Sequence, residues 1–125
     1  MLPKILIVDD EPDLIELVRF RLASLGYEFL VANDGIHALC AARVDKPDLI
    51  LLDILLPDLD GIAVCEILQR QPATRKIPII FMSALSGEVT KRTVAINAVD
   101  FFTKPLDLAR LEQRVAALLK PLSES

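Results

Sequence analysis

The stretch "LILLDILLPDLDG", residues 49–61, decides the fold. Four consecutive aliphatic residues without polar alternation read as a strand buried on both faces, the kind found in parallel sheets covered by helices. Asp53 follows directly, and Pro57 and Gly61 shape a turn before a helical pattern begins. A charge is rarely buried without a partner or a task, so a carboxylate at the end of an apolar strand asks for one of them.

Outward from this unit, short apolar runs recur at residues 4–8 ("KILIV"), 28–32 ("EFLVA"), 48–52 ("DLILL"), 77–82 ("IPIIFM") and 99–102 ("VDFF"). Segments of helical periodicity separate them, so the chain reads as five βα units with right-handed crossovers. The first helix opens at Pro12, carries Leu14, Leu17, Val18, Leu22 and Leu25 as its apolar stripe, and stops at Gly26. The second runs from about Asp34 to Val44 and the third from about Asp60 to Gln71. The fourth, about Ser86 to Ile96, is rich in Thr and Val and has the weakest stripe. The last has Asp107 as N-cap and Leu108, Leu111, Val115 and Leu118 on its inner face.

Composition sets the limits. A chain of 125 residues is the size of one domain, and its 53% apolar share with only 5% aromatic residues makes an aliphatic core and excludes disorder. No apolar run approaches the roughly 18 residues that span a bilayer, and the N-terminal run is too short for a signal peptide; the expectation is a cytoplasmic protein with no membrane partner. The net charge of −4 and the scattered Lys and Arg lack the footprint of a nucleic-acid binder. Cys40 and Cys65 have no metal-site spacing and are expected to be two reduced, buried thiols, and the lone His37 an ordinary helix residue. One domain over residues 1–125 is expected, with 121–125 a polar tail.

In an open parallel sheet, ligands bind beyond the carboxyl ends of the strands. Those ends carry Asp9 and Asp10, Asp53, Ser83 and Lys104. Three carboxylates within about 4 to 6 Å repel one another by several kcal/mol at an effective dielectric near 20. The cluster therefore invites a cation, and oxygen-only ligands favour Mg2+ over Zn2+. Helix capping explains Asp10 or Asp60 taken singly; it does not explain a lysine at one strand end facing acids at others.

The motifs "VDDEPD", "LLDILLPDLDG", "FMSA" and "DFFTKPL", in this order and spacing, resemble a response-regulator receiver domain of two-component signalling over residues 4 to 120. The resemblance implies a doubly wound (βα)5 flavodoxin-like α/β fold with a five-stranded parallel sheet in the order 2-1-3-4-5. It implies that Asp53 accepts a phosphoryl group from a sensor histidine kinase or a histidine phosphotransfer protein. Asp9 and Asp10 would hold Mg2+ with Asp53 and the Leu55 carbonyl. Ser83 would hydrogen-bond the phosphoryl group, Lys104 would pair with it, and a cis bond before Pro105 would aim Lys104. Nearby Mg2+ and Lys104 would keep the Asp53 pKa low. Pro57 and Gly61 would bring backbone to the metal, or serve as ordinary turn residues. The chain would be no turnover enzyme, although it would assist its own phosphorylation and dephosphorylation.

The resemblance further implies a switch in which Ser83 moves toward the phosphate and Phe101 swings inward, with Phe102 on the opposite face as permanent core; Phe101 as plain core is the other reading. A surface of the fourth helix, strand 5 and the fifth helix would then bind a partner or a second copy, with Lys91, Arg92, Asp100, Arg110 and Arg114 as polar candidates. Asn97 stands where a glycine is common, and Asn tolerates a left-handed turn. A flavin binder on the same topology is disfavoured by the acidic loop "DDEPD". A haloacid-dehalogenase-type phosphohydrolase would need an acid where Leu55 stands. The remaining alternative is a receiver-like binding module that acts without phosphorylation.

Overall fold

The computed structural model describes residues 2–84 and 98–119. The predicted fourth helix, with Lys91 and Arg92, lies outside the described residues, as do Asn97 and the 121–125 tail.

Five strands, β1 (Lys4–Val8), β2 (Glu28–Ala32), β3 (Leu49–Asp53), β4 (Ile79–Ser83) and β5 (Asp100–Thr103), form one parallel sheet in the order β2-β1-β3-β4-β5. The described helices are α1 (Pro12–Ala23), α2 (Gly35–Asp45), α3 (Gly61–Arg70) and α4 (Leu108–Leu118), the last corresponding to the fifth predicted helix. All five residues of β3 and of β4 are buried, as their uninterrupted apolar runs require. β3, β4 and β5 each start and end later than the apolar runs suggest. Asp53 and Ser83 are themselves the last residues of their strands, because the ladder pairs Asp53 with Met82 and Ser83 with Thr103.

Alternation along the strands splits the core into two layers. Leu6, Val8, Ile50, Leu52 and Phe81 face α2 and α3. Ile5, Ile7, Leu49, Leu51, Ile80, Met82 and Phe102 face α1 and α4. Phe101 and Phe102 fall on opposite faces as expected, with Phe102 fully buried and Phe101 half-buried.

Helix starts follow their caps: Asp34 accepts from the His37 amide, Asp60 from Ile62 and Asp107 from Arg110. Gly26 takes φ +86° just past α1, a conformation that suits glycine. The α1 stripe differs from expectation. Ile15, Val18 and Leu22 face the sheet, while Leu17 and Leu25 are 46% and 40% exposed, because the 3–4 spacing that includes Ile15 turns Leu17 to solvent. Cys65 is buried, but Cys40 is exposed on the outer face of α2 and corrects the expectation of two buried thiols.

Candidate functional site

The carboxyl ends of β1, β3 and β5 bring together residues far apart in sequence. Asp9, immediately after β1, is fully buried; its Oδ1 accepts from the Glu11 amide at 2.9 Å, and the Asn33 side chain donates to its backbone carbonyl at 3.2 Å. Asp53 is 3% exposed and its Oδ1 accepts from the Leu55 amide at 3.0 Å. Lys104 reaches across from the end of β5, its Nζ donating to Asp53 Oδ2 at 2.9 Å, Asp9 Oδ2 at 3.0 Å and Glu11 Oε1 at 3.1 Å. The Lys104 amide donates to the Ser83 carbonyl at 2.7 Å, which ties the lysine to the end of β4. The Lys104–Pro105 bond is cis, as expected.

Asp9, Asp10, Glu11 and Asp53 each present a carboxylate oxygen within 4.8 Å of the others. Such a donor set, all oxygen and strongly anionic, fits a hard divalent cation. Two members are buried and two are exposed, so the cluster is anchored on one side and open to solvent on the other. Leu55 reaches the site through its amide. Ser83 is fully buried at the end of β4, and Phe101 lies in the adjacent strand, paired in register with Phe81.

Electrostatics follow from this geometry. Burial raises the Asp53 carboxyl above its ordinary value and the neighbouring Asp9 adds to that, against the hydrogen bonds from Lys104 and Leu55, which lower it. The expectation of a low Asp53 pKa relied on a cation as well as Lys104; with the protein's own groups, desolvation wins. Burial also disfavours the Lys104 ammonium, but its hydrogen bonds to Asp53, Asp9 and Glu11 outweigh that and hold its pKa above the usual lysine range.

Gly61 is required at its position. A Cβ there would collide with the Asp53 carbonyl and lie 2.8 Å from Ile54 Cα, and the Gly61 amide donates to the Ile54 carbonyl at 2.8 Å. The start of α3 thus presses on the backbone that carries Asp53, which goes beyond an ordinary turn role. Pro57 sits exposed in the loop between them. Two residues escaped the sequence reading. Glu11 is a third acid on Lys104, and its signal was present in "DDE". Asp58 accepts from the Gly35 amide at 2.7 Å and the Ile36 amide at 3.0 Å, fastening the β3–α3 loop to the start of α2. Only the fold brings residue 58 to residue 35, so no local pattern announced it.

This sheet order, with charged groups gathered at its carboxyl edge, places the chain among flavodoxin-like α/β proteins. A profile of the response regulator receiver domain matches residues 5–116. The chain belongs to this family, the receiver domains of two-component signalling. It is 40% identical over 121 residues to the DNA-binding dual master transcriptional regulator RpaA of Synechocystis, covering 95% of this chain and 50% of that protein. It is 41% identical over 118 residues to the alkaline phosphatase synthesis transcriptional regulatory protein PhoP of Bacillus subtilis, covering 94% and 48%. The chain thus spans about half the length of these two relatives. Among solved structures, a putative response regulator from Chloroflexus aurantiacus superposes with a TM-score of 0.88 at 30% identity, covering 97% of this chain and all of that one. The chemotaxis response regulator CheY4 of Vibrio cholerae gives 0.86 at 26%, covering 95% and 100%. Receiver domains are signalling regulators that take phosphoryl groups from histidine kinases, and they are not turnover enzymes of the usual kind. No described helix is long and apolar enough to cross a membrane.

Proposed function

We propose that Asp53 is the phosphoacceptor, that Asp9, Asp10 and the Leu55 carbonyl hold Mg2+ beside it, and that Ser83 and Lys104 bind the transferred group. The observation that carries this reading is the Asp53 carboxylate, at the end of a buried strand, within reach of both a carboxylate cluster and the Lys104 ammonium. Asp53 attacks the phosphorus of a phosphohistidine on a sensor kinase or phosphotransfer protein. The new O–P bond forms as the P–N bond breaks and the imidazole leaves. Bound Mg2+ would supply neutralisation of phosphoryl oxygens during transfer and during later hydrolysis. Lys104 holds a positive charge where negative charge accumulates, and Leu55 steadies the carboxylate. In this way the chain assists its own phosphorylation and dephosphorylation.

A groove of about 470 Å3 beside Lys104, lined partly by Leu14, Leu17, Pro105 and Leu108, supports a protein phosphodonor that docks on apolar surface. The acylphosphate carries nearly two negative charges where the carboxylate carried one. Ser83 then shifts toward it and Phe101 follows, altering the surface of the fourth predicted helix, β5 and α4 where an output partner or a second copy binds. Asp100 on β5 already pairs with Arg110 and Arg114 of α4, so this surface holds an ionic set that such a shift would rearrange. The cytoplasm is the compartment this donor chemistry calls for. The DNA binding named for RpaA falls, on this reading, outside the matched half of that protein, in keeping with the acidic balance of this chain.

The test is incubation with acetyl phosphate and Mg2+ followed by intact-mass measurement. One added phosphoryl group, lost in Asp53→Asn, is the expected result; no gain with any donor would overturn the assignment and leave a phosphorylation-independent binding module.

A further inference from the structure

The outer face of α2 carries an exposed apolar ridge. Ile36 is 63% exposed and Val44 69% exposed, and the exposed Cys40 lies midway between them. The i, i+4, i+8 spacing sets the three in one row, opposite the buried Gly35, Ala38 and Ala42. Such i±4 rows are the ridges by which two helices pack when their axes cross. Beside the row lies a groove of about 290 Å3 lined by Ile36, Leu39, Cys40, Arg43 and Gln71, wide enough for an aliphatic side chain from outside.

We infer that a second copy of this chain docks on α2, with the two ridges antiparallel across a two-fold axis at Cys40. Antiparallel packing brings Ile36 of one copy beside Val44 of the other, and each Val44 fills the groove next to the other copy's Ile36. The charges agree with this occupant. The N-terminal end of α2 carries Asp34 and Asp58, both engaged with its amides, and the C-terminal end carries Arg43 and Lys46 beside Asp45. Each acidic end therefore meets the other copy's more basic end, and the helix dipoles oppose. A parallel arrangement would stack like charges. An 11-residue helix is about 16 Å long, and one face of so short a helix covers less than the roughly 800 Å2 per partner of a stable interface. The association is accordingly weak and concentration-dependent. It is separate from the surface of β5 and α4 assigned to phosphorylation.

Cys40 makes the arrangement measurable. Two thiols facing each other across a two-fold axis oxidise to a disulfide when their Cα atoms come within about 7 Å, whereas the buried Cys65 does not compete. Diamide, a two-electron oxidant, is expected to convert the chain to a Cys40-linked dimer on non-reducing gels, and Cys40→Ser abolishes the product. A carboxylate placed in the apolar contact has no partner for its charge, so Ile36→Glu or Val44→Glu slows crosslinking roughly tenfold or more, tenfold being about 1.4 kcal/mol. Reactivity of Cys40 toward a small thiol reagent serves as the control and stays unchanged. Sedimentation equilibrium of the reduced Cys40→Ser chain shows a monomer–dimer equilibrium that Ile36→Glu removes. Equal crosslinking rates in the parent and glutamate variants, or a strictly monomeric reduced chain at millimolar concentration, would overturn the inference.

Discussion

At the scale of single residues, Asp53 and Lys104 hold opposing demands. Burial pushes the Asp53 carboxyl above its unfolded value. Below the unfolded value of about 3.9 the group is protonated in both states and costs nothing. As pH rises through the window between that value and the raised native one, the unfolded chain ionises more readily and stability is lost. Asp53→Asn removes this cost while keeping an acceptor for Lys104, so its denaturation midpoint should exceed that of the parent at pH 7 and converge with it below pH ~4. Added Mg2+ should narrow the gap by stabilising the parent more; a less stable Asn variant at pH 7 would contradict this electrostatic account. Lys104→Met acts the other way. It strands Asp9 and Asp53, whose side chains are nearly inaccessible, and should cost roughly 3 kcal/mol by urea unfolding, the lower end for a broken buried pair because Asp10 and Glu11 keep the site open to water. Millimolar Mg2+ should restore part of that loss.

At the scale of elements, the β3–α3 loop is held at both ends, by Gly61 against Asp53 and by Asp58 on the first amides of α2. Those amides hold the Asp58 carboxyl below its ordinary value, the Gly35 hydrogen bond contributing most. A lowered native pKa gives stability that is present above the unfolded value and lost as pH falls through the native one. Asp58→Ala should therefore lower the melting temperature at pH 7, with the difference closing below pH 4. A pH-independent difference would assign the effect to packing. Gly61→Ala should cost about 1–3 kcal/mol or more as an overpacked contact, and slow acetyl phosphate labelling because it displaces the strand end that carries Asp53. The sequence made the elements themselves legible. Continuous apolar runs, Pro12, Gly26 and the Asp34, Asp60 and Asp107 caps act locally, and each appears where its chemistry puts it. On α1, Leu17 and Leu25 are as apolar as Ile15, and only the sheet beneath selects among them. The same limit hid Asp58, whose partners lie 23 and 22 residues away, whereas Asp9, Asp10, Asp53 and Lys104 were legible because the topology delivers every strand end to one edge.

At the scale of the whole molecule, one sheet with helices on both faces makes the two core layers depend on each other, because each strand contributes side chains to both. A ligand at the carboxyl edge should then stabilise residues it never touches. Cys65 is the natural reporter. It sits on the inner face of α3, fully buried against the sheet; burial pushes its thiol up to about 12, and Glu66 adds to the shift. At pH 8 a disulfide reagent should titrate one thiol per native chain, Cys40, and two after denaturation. In the Cys40→Ser background, Cys65 reacts only through opening, at a rate set by the population of open chains. A ligand that binds the native state alone at 100 times its Kd stabilises by about 2.7 kcal/mol. Saturating Mg2+ with beryllofluoride should thus slow Cys65 labelling about 100-fold if α3 opens only with the sheet. A rate insensitive to that ligand would mean that α3 detaches on its own, leaving Asp53 and its neighbours in place. The contact of Gly61 with the Asp53 backbone argues against that outcome, since α3 cannot leave without releasing the strand end on which the ligand depends.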